Sequence, residues 1–450
     1  MENTKENKMG TMPENKLLIS MAVPMMLSML VQALYNVVDS IFVAKISEDA
    51  LTAVSLAFPV QNLLIALGTG TGVGINALLS KSLGEKNQKL ANKVAHNGIL
   101  LMMFSALACA LFGIFGSHWF FTTQTNNLDL IKYGTQYLSV VMTFSFGIFG
   151  QFITERLLQA TGRTTLSMYT QMVGAVTNLI LDPILIFGWL GIPAMGITGA
   201  AVATVIGQIA SAAFGAWLNV KKNPEIQLRI KELVPDGKVI RKIYSVGIPS
   251  IIMGSIGSLM TYGLNQILMG FSSTATAVFG VYFKLQSFFF MPLFGLNNGM
   301  VPIIAYNYGA KNKKRMLRTM KLAITYAIGI MVIGFLVMQI FPVQLFSLFE
   351  ASADMLDIGI PALRIISIHF LFAGFCIIAG STFQALGNGI ISMVVSVARQ
   401  LVVLLPAAYL LSLTGKLHLI WLAFPIAELV SVALSGFFLY RIYKKVIKPL

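Results

Sequence analysis

The chain has 450 residues, 56% of them hydrophobic and only 11% charged, with a formal net charge of +15 and a mean hydropathy of +0.78. That composition excludes an ordinary soluble domain. Apolar runs of about twenty or more residues recur along the whole length, each long enough to cross a hydrocarbon core ~30 Å thick as a helix, and the ten-residue alternating segments of an outer-membrane barrel are not seen.

The first sixteen residues are polar and carry Lys5, Lys8 and Lys16 beside Glu2, Glu6 and Glu14. The apolar run that follows is too long for a signal-peptide core and has no small-residue cleavage site after it, so it reads as a retained first helix. Twelve spans are predicted, near residues 17–44, 51–80, 94–117, 130–155, 165–188, 196–219, 243–269, 274–307, 319–341, 355–385, 389–411 and 418–440. Between the sixth and seventh lies the polar linker KKNPEIQLRIKELVPDGK, residues 221–238, with Pro224 and Pro235. The basic residues concentrate at the termini and in the even-numbered connections, and only Lys45, Lys132 and Lys416 fall in the odd-numbered ones. The positive-inside rule therefore puts both termini in the cytoplasm, and the net charge needs no nucleic acid to explain it. Cys109 and Cys376 sit inside apolar spans, as buried small hydrophobes rather than a disulfide.

Within the second span, GTGTGVG (residues 68–74) has a spacing that resembles a nucleotide loop. It follows no strand, and Gly68/Gly72 and Gly70/Gly74 are four apart, the spacing that lets membrane helices approach closely. No P-loop lysine, zinc or Ser-His-Asp signature occurs, which argues against ATP-driven transport by this chain and against an enzyme.

An internal repeat organises the rest. Pro24 and Pro249, Gly84 and Gly309, Gln159 and Gln384, Gly162 and Gly387, and Ser167-Met168 and Ser392-Met393 all stand 225 positions apart. Six spans per half is an even number, so the second half re-enters from the same side and the repeats are parallel. The predicted fold is an all-α integral membrane protein with twelve transmembrane helices in two pseudo-symmetric six-helix bundles. Its domains are a cytoplasmic tail (1–16), an N-lobe of six spans (17–220), a cytoplasmic linker (221–240), a C-lobe of six spans (241–443) and a second cytoplasmic tail (444–450). Two bundles able to rock against each other are the usual build of an alternating-access transporter.

With these landmarks the chain resembles the multidrug and toxic compound extrusion (MATE) transporters, and among them the MepA-like branch of bacterial multidrug exporters. The resemblance runs through MAVPMMLSMLVQALYNVVDSIFV, SLGEKNQ, ERLLQATGRT, NLILDPILIFG and GITGAAVAT, in that order, over nearly the whole chain. It implies two lobes in a V and an antiporter in the cell membrane. Its cargo would be lipophilic organic cations (dyes, biocides, antibiotics), exchanged for H+ or Na+ with no cofactor, no ATP and no nucleic acid, and membrane lipids would surround it. In that family a first-helix acid and an Asn and Asp of the fifth helix form a cation or proton site, often with a sixth-helix Thr. Carried over, these are Asp39, Asn178, Asp182 and Thr204, with Na+, if that is the ion, at the first three.

The residues support this independently. An ionisable side chain near the bilayer centre costs roughly 2.5–3.5 kcal/mol, so each one is a functional candidate. The candidates are Asp39, Asp182, Lys284, Arg364, Arg399 and Glu428, with His369, and Glu155 at an inner edge. Asp182 precedes Pro183, which leaves the Leu179 carbonyl without a helical donor, and Asn178 lies one turn away on the same face. Asp39 and Asp182 are each six residues from the outer end of their span, at matching depth. A plain helix-end acid at Asp182 and an interfacial acid at Asp39 are the structural alternatives. Under the repeat, Asp39 maps to Leu264, and aligning Pro183 with Pro406 puts Leu405 opposite Asp182, so coupling is expected in the N-lobe. Lys284, Arg364, Arg399 and Glu428 are open to two readings, a buried salt-bridge network or a substrate role. Lipophilic cations suit aromatic faces and flexible Met with a few acceptors, which makes Tyr35, Phe289 and Met291, with Asn36 beside Asp39 and Glu155 in ERLLQATG, the substrate-binding candidates. The rival readings are a flippase of lipid-linked saccharide, favoured by a basic C-lobe core, and a non-transporting membrane protein.

Overall fold

The computed structural model describes residues 6–349 and 351–450, so Glu2 and Lys5 of the polar tail lie outside the described residues. Among the described residues every regular element is a helix. In order, the long helices are α1 (Glu14–Ala44), α2 (Glu48–Gly84), α3 (Gln88–Phe115), α4 (Leu128–Thr143 and Phe146–Ala160), α5 (Thr164–Phe187), α6 (Ile197–Lys222), α7 (Gly237–Met269), α8 (Ser273–Gly309), α9 (Lys313–Ile340), α10 (Ala353–Ala385), α11 (Gly389–Ser412) and α12 (Leu417–Ile447). Eleven of these are each long and apolar enough to cross a membrane, and α4, whose two parts bend by 44° at their junction, makes a twelfth if taken as one span. The expected all-helical membrane fold is the observed one.

Local chemistry sets the helix ends, and it recurs 225 residues later. The Ser47 hydroxyl accepts from the Ala50 N–H at 3.0 Å to start α2, as Ser272 does from Ala275 at 3.1 Å to start α8. Asn87 caps α3 through Leu90 N–H, and Asn312 caps α9 through Arg315 N–H. Lys86 and Lys311 turn the chain between those helices with φ of 56° and 55°.

Apolar burial divides into two clusters. One gathers α2–α6, from Ala50 to Ala201, together with Val43 at the far end of α1 and Val239 and Ile243 of α7. The other gathers α7–α12 from Met260 onward, together with Leu17, Leu18, Met21 and Ala22 of α1. Each half thus lends the first turns of its first helix to the core of the other.

Glycines permit that exchange. A Cβ on Gly84 would overlap the Tyr306 carbonyl, and one on Gly309 would overlap the Lys81 carbonyl. Gly70 meets the Ile251 backbone as Gly295 meets that of Met26, and Gly74 meets Ile243 and Gly247 as Gly299 meets Ala22. Tyr306 and Lys81, Ile251 and Met26, and Gly247 and Ala22 are each other's images under the 225-residue shift, the reciprocity of a two-fold interface. Gly70 and Gly74 of the GTGTGVG stretch therefore serve the junction between halves, while Gly68 and Gly72 face Phe152 and Arg156. These approaches all lie toward the side of the membrane that carries both termini. On the opposite side the outermost hydrogen bond between halves, among the described residues, is Asn62 Nδ2 to Ser258 Oγ at 2.7 Å.

The N-terminal segment straps this closed side. Met9 is fully buried. Asn7 donates to the Thr161 carbonyl at 3.0 Å and to Glu225 at 3.3 Å, and Glu225 in turn pairs with Arg163 at 3.0 Å. From the C-terminal half, Asn307 and Arg315 both donate to the Met9 carbonyl at 3.1 Å, and Arg315 donates to that of Met12 at 2.6 Å. The linker is pinned to α3: Asp236 takes the Lys93 ammonium at 3.0 Å, and its own N–H donates to Asn97 at 2.8 Å. That ammonium first, and the Val239 N–H next, hold the Asp236 carboxyl below the usual carboxylate range.

Candidate functional site

The site begins with two helices that nearly touch. On α6, a Cβ at Gly207 would meet the Gly174 carbonyl of α5 at 2.7 Å, and the Ser211 hydroxyl donates to the Thr170 carbonyl at 2.9 Å. This close packing carries Thr204 against Asn178. With both ends of its amide satisfied, Asn178 donates from nitrogen to Asp182 Oδ2 at 3.1 Å, and its oxygen accepts from Thr204 N–H at 3.1 Å and from Thr204 Oγ1 at 3.3 Å. Asp182 is fully buried behind this amide. α5 continues through Pro183 as one helix to Phe187, so the proline does not break it.

Asp39 arrives from α1. Its carboxyl neighbours that of Asp182, and its Oδ1 is buried with no hydrogen-bond partner. Both acids lie about one and a half turns from the ends of α1 and α5, on the side away from the termini. Two carboxylates so close repel unless a proton or a cation lies between them. Oxygens from Asp39, Asp182, Asn178 and Thr204 are hard donors that suit H+ or a small cation such as Na+. Asp39, Tyr35, Asn36, Asn178 and Thr204 line a cavity of about 310 Å³ formed by α1, α2, α4, α5 and α6.

That cavity also holds residues the sequence reading passed over. Gln32, Gln61, Tyr137, Gln171 and Gln208 line it. Gln61 donates to the Tyr137 hydroxyl at 3.0 Å and Gln171 to Gln32 at 2.9 Å, while Ser28 reaches Gln171. The signal was present, because side-chain amides inside apolar spans are also costly to bury unpaired.

Glu155 is buried but stands outside the lining. It accepts from Gln151 at 2.9 Å, and Gln151 does line the cavity. Its neighbour Arg156 donates to Gln159 at 2.8 Å and, across the junction, to Asn298 at 3.4 Å. Phe289 and Met291 are on α8 in the other half, where Phe289 packs against Phe370 with ring centroids 6.2 Å apart; neither lines the cavity.

Among its described residues the C-terminal half holds no matching acid pair. Leu264 is fully buried, and Leu405 packs its side chain where a Cβ on Gly263 would lie at 3.0 Å. Apolar packing between α7 and α11 stands where the other half brings α1 and α5 together through carboxyls. Of the four charged residues there, only two join: Arg399 Nη1 meets Glu428 Oε2 at 3.1 Å, with the Glu428 side chain 2% exposed. Lys284 and Arg364 are exposed, Lys284 over the Phe349 ring at 5.9 Å, so no four-membered buried network forms. Removing one partner of a buried pair leaves the other uncompensated. Arg399→Met should therefore lower stability by about 3 kcal/mol, and the double change with Glu428→Leu should recover most of it, as read by thermal unfolding in detergent.

The MatE family model matches residues 24–184 and again 249–410, well over half of the chain and once in each repeat. Multidrug export protein MepA of Staphylococcus haemolyticus (strain JCSC1435) is 26% identical over 429 residues, covering 95% of this chain and 93% of its own length. The MepA protein of Staphylococcus aureus (strain MRSA252) is 28% identical over 429 residues, covering 91% of this chain and 90% of its own. A crystal structure of MATE in complex with MaL6 superposes with a TM-score of 0.92 at 25% identity, over 99% of this chain and 100% of that one. An outward-facing multidrug resistance MATE family transporter of the MOP superfamily shares the fold, with a TM-score of 0.92 at 24% identity over 100% of both chains. The duplicated bundles, the doubled family match and the shared fold lead to one conclusion: the chain belongs to the MatE family, the MATE transporters, and is not an enzyme.

Proposed function

We propose that this transporter is a secondary active multidrug exporter that expels lipophilic organic cations in exchange for H+ or Na+. Residues 17–220 and 241–443 act as its two lobes, joined by the linker at 221–240. Both termini are cytoplasmic, as the concentration of Lys and Arg at that side supports. The state described here is then closed to the cytoplasm by the glycine junction and the N-terminal strap.

The observation that carries the reading is the Asp39–Asp182 pair, with Asp39 Oδ1 buried and unpartnered beside Asn178 and Thr204. An incoming proton or Na+ relieves the carboxylate repulsion, and α1, which also packs into the opposite core, transmits the change to the junction. Tyr35 and Asn36 meet cargo beside the acids, Glu155 receives the inner end of the same polar path through Gln151, and Phe289 with Met291 belongs to the apolar wall of the second lobe. Exchange requires the ion and the cargo to favour different states, since a ligand shifts an equilibrium only by its differential affinity. The names of the MepA relatives support the cargo class. The flippase reading loses its basis, because the basic C-lobe core reduces to one ion pair.

The test is transport of ethidium by the purified chain in proteoliposomes, with Na+ and pH gradients imposed separately. At least one gradient is expected to drive dye movement without ATP. Equal movement with and without either gradient would overturn the reading.

A further inference from the structure

A second cavity lies far from the acids, on the lipid-facing side of the junction. Leu18, Ala22 and Met26 of α1 face Leu296 of α8 and Gly329 and Ile330 of α9 across a groove of about 380 Å³ whose walls are almost wholly apolar. Ile19, Val23 and Ile333 at its edges are 45%, 43% and 61% exposed, so it opens sideways. Its position is fixed by the exchange of first helices, since α1 reaches across to the core of the other half. The groove occupies the leaflet nearer the termini, because Asn15, just ahead of it on α1, pairs with Tyr326 of α9.

Helical periodicity sets basic side chains over its mouth. Lys16 is one turn before Ile19 on the same face of α1, and Lys321 and Arg318 are one and two turns before Thr325 on α9. Both helices begin at the termini side and helical side chains lean toward the N-terminus, so all three point toward the headgroup layer. Arg318 shares its charge with Glu14 at 3.9 Å, whereas Lys16 and Lys321 are exposed and join no ion pair among the described residues. The rim is therefore net positive.

We propose that this groove is a binding site for an anionic glycerophospholipid, with one acyl chain in the apolar slot and the phosphate held by Lys16 and Lys321. Charge decides the occupant. A lipophilic cation would fit the slot but is repelled by the same rim that attracts a phosphate. The seated chain touches α1 of one half and α8 and α9 of the other, so it binds the arrangement in which these helices are packed and favours the closed termini side.

The test uses the full-length purified chain and native mass spectrometry, with phosphatidylglycerol and phosphatidylcholine of identical acyl chains as probes. Each basic group near a headgroup is worth roughly a fivefold change in affinity, so the wild type should retain the anionic lipid over the zwitterionic one by roughly 25-fold. Lys16→Gln with Lys321→Gln should bring that preference close to unity. Gly329→Leu fills the slot, where an added Cβ meets nothing within 4 Å, and should lower retention of both lipids. Equal retention of the two lipids by the wild type, undiminished retention by Gly329→Leu, or displacement of phosphatidylglycerol by ethidium would each overturn the proposal. Lys16 and Lys321 are exposed, so their double variant leaves packing intact and keeps the charge arm readable if Gly329→Leu fails to fold.

Discussion

Asp39→Asn together with Asp182→Asn should abolish ion-driven dye uptake into everted vesicles, the direction that corresponds to export, while leaving the protein folded. Asn is close in shape to Asp and neither carries charge nor releases a proton, so the double variant removes the repulsion that the ion relieves without emptying the space between α1 and α5. Coupling of this kind is typically worth ~1–3 kcal/mol, a ~5–150-fold change in cargo affinity on ion binding, and the whole of it should vanish. Thermal stability at neutral pH should stay equal or rise, because two carboxyls are no longer forced together in a buried site. Ethidium should still bind, through Tyr35 and the amides that line the cavity, but its affinity should lose its dependence on pH or Na+. Full gradient-driven uptake by the double variant would mean that coupling resides elsewhere. The single variants separate the roles. Asp182 is bound by Asn178 and enclosed, whereas Asp39 keeps a free oxygen at the cavity, so Asp39→Asn should slow ion exchange more than it disturbs packing.

The acids were legible in the sequence because a buried carboxylate is costly enough to stand out in an apolar span, and matching depth at the ends of the first and fifth spans pointed to their meeting. The spans and the repeat were legible for similar reasons: hydropathy over twenty residues is a large summed signal, and paired glycines and prolines at one offset are discrete marks. What escaped was set by packing. Ser145 and Gly147 at the 44° bend of α4 are only a weak mark of it, since neither removes a backbone donor and such pairs also occur in straight helices. The wide π-type turns over Ala398–Leu404 of α11 do have a local mark, Pro406, which lacks an N–H and crowds the Val402 carbonyl, but a proline alone does not say whether a helix kinks, widens or, as at Pro183, runs on as one helix. Gln32, Gln61 and Gln171 carry a weaker version of the signal that marked the acids, and only three-dimensional convergence shows that they belong to one cavity. Phe289 and Met291 show the converse: chemistry suited to a cation is common on membrane helices, and position alone decides what it faces.

The reciprocal glycine junction yields the second large effect. Gly84→Val places a branched side chain against the Tyr306 carbonyl, a backbone group that cannot rotate away. Overpacking of this kind costs ~1–3 kcal/mol, and here all of it falls on the state in which the halves are joined at the termini side. The equilibrium should therefore shift by roughly 5–150-fold toward a state open at that side. Spin labels at Lys89→Cys and Lys314→Cys, two exposed positions related by the repeat on either side of the junction, would read the change as a longer distance by pulsed electron resonance, with Cys109 and Cys376 replaced by Ala. Gly84→Ala, adding the Cβ alone, should move the distribution the same way by less, which separates opening from misfolding. Gly309→Val meets the Lys81 carbonyl by the symmetric contact and should give a shift of similar size. The double variant should cost less than the sum of the two, because once the halves part neither side chain is compressed. An unchanged distance in Gly84→Val, with unchanged thermal stability, would show that the junction yields locally and that closure rests on the strap of Met9, Met12 and Arg315 instead.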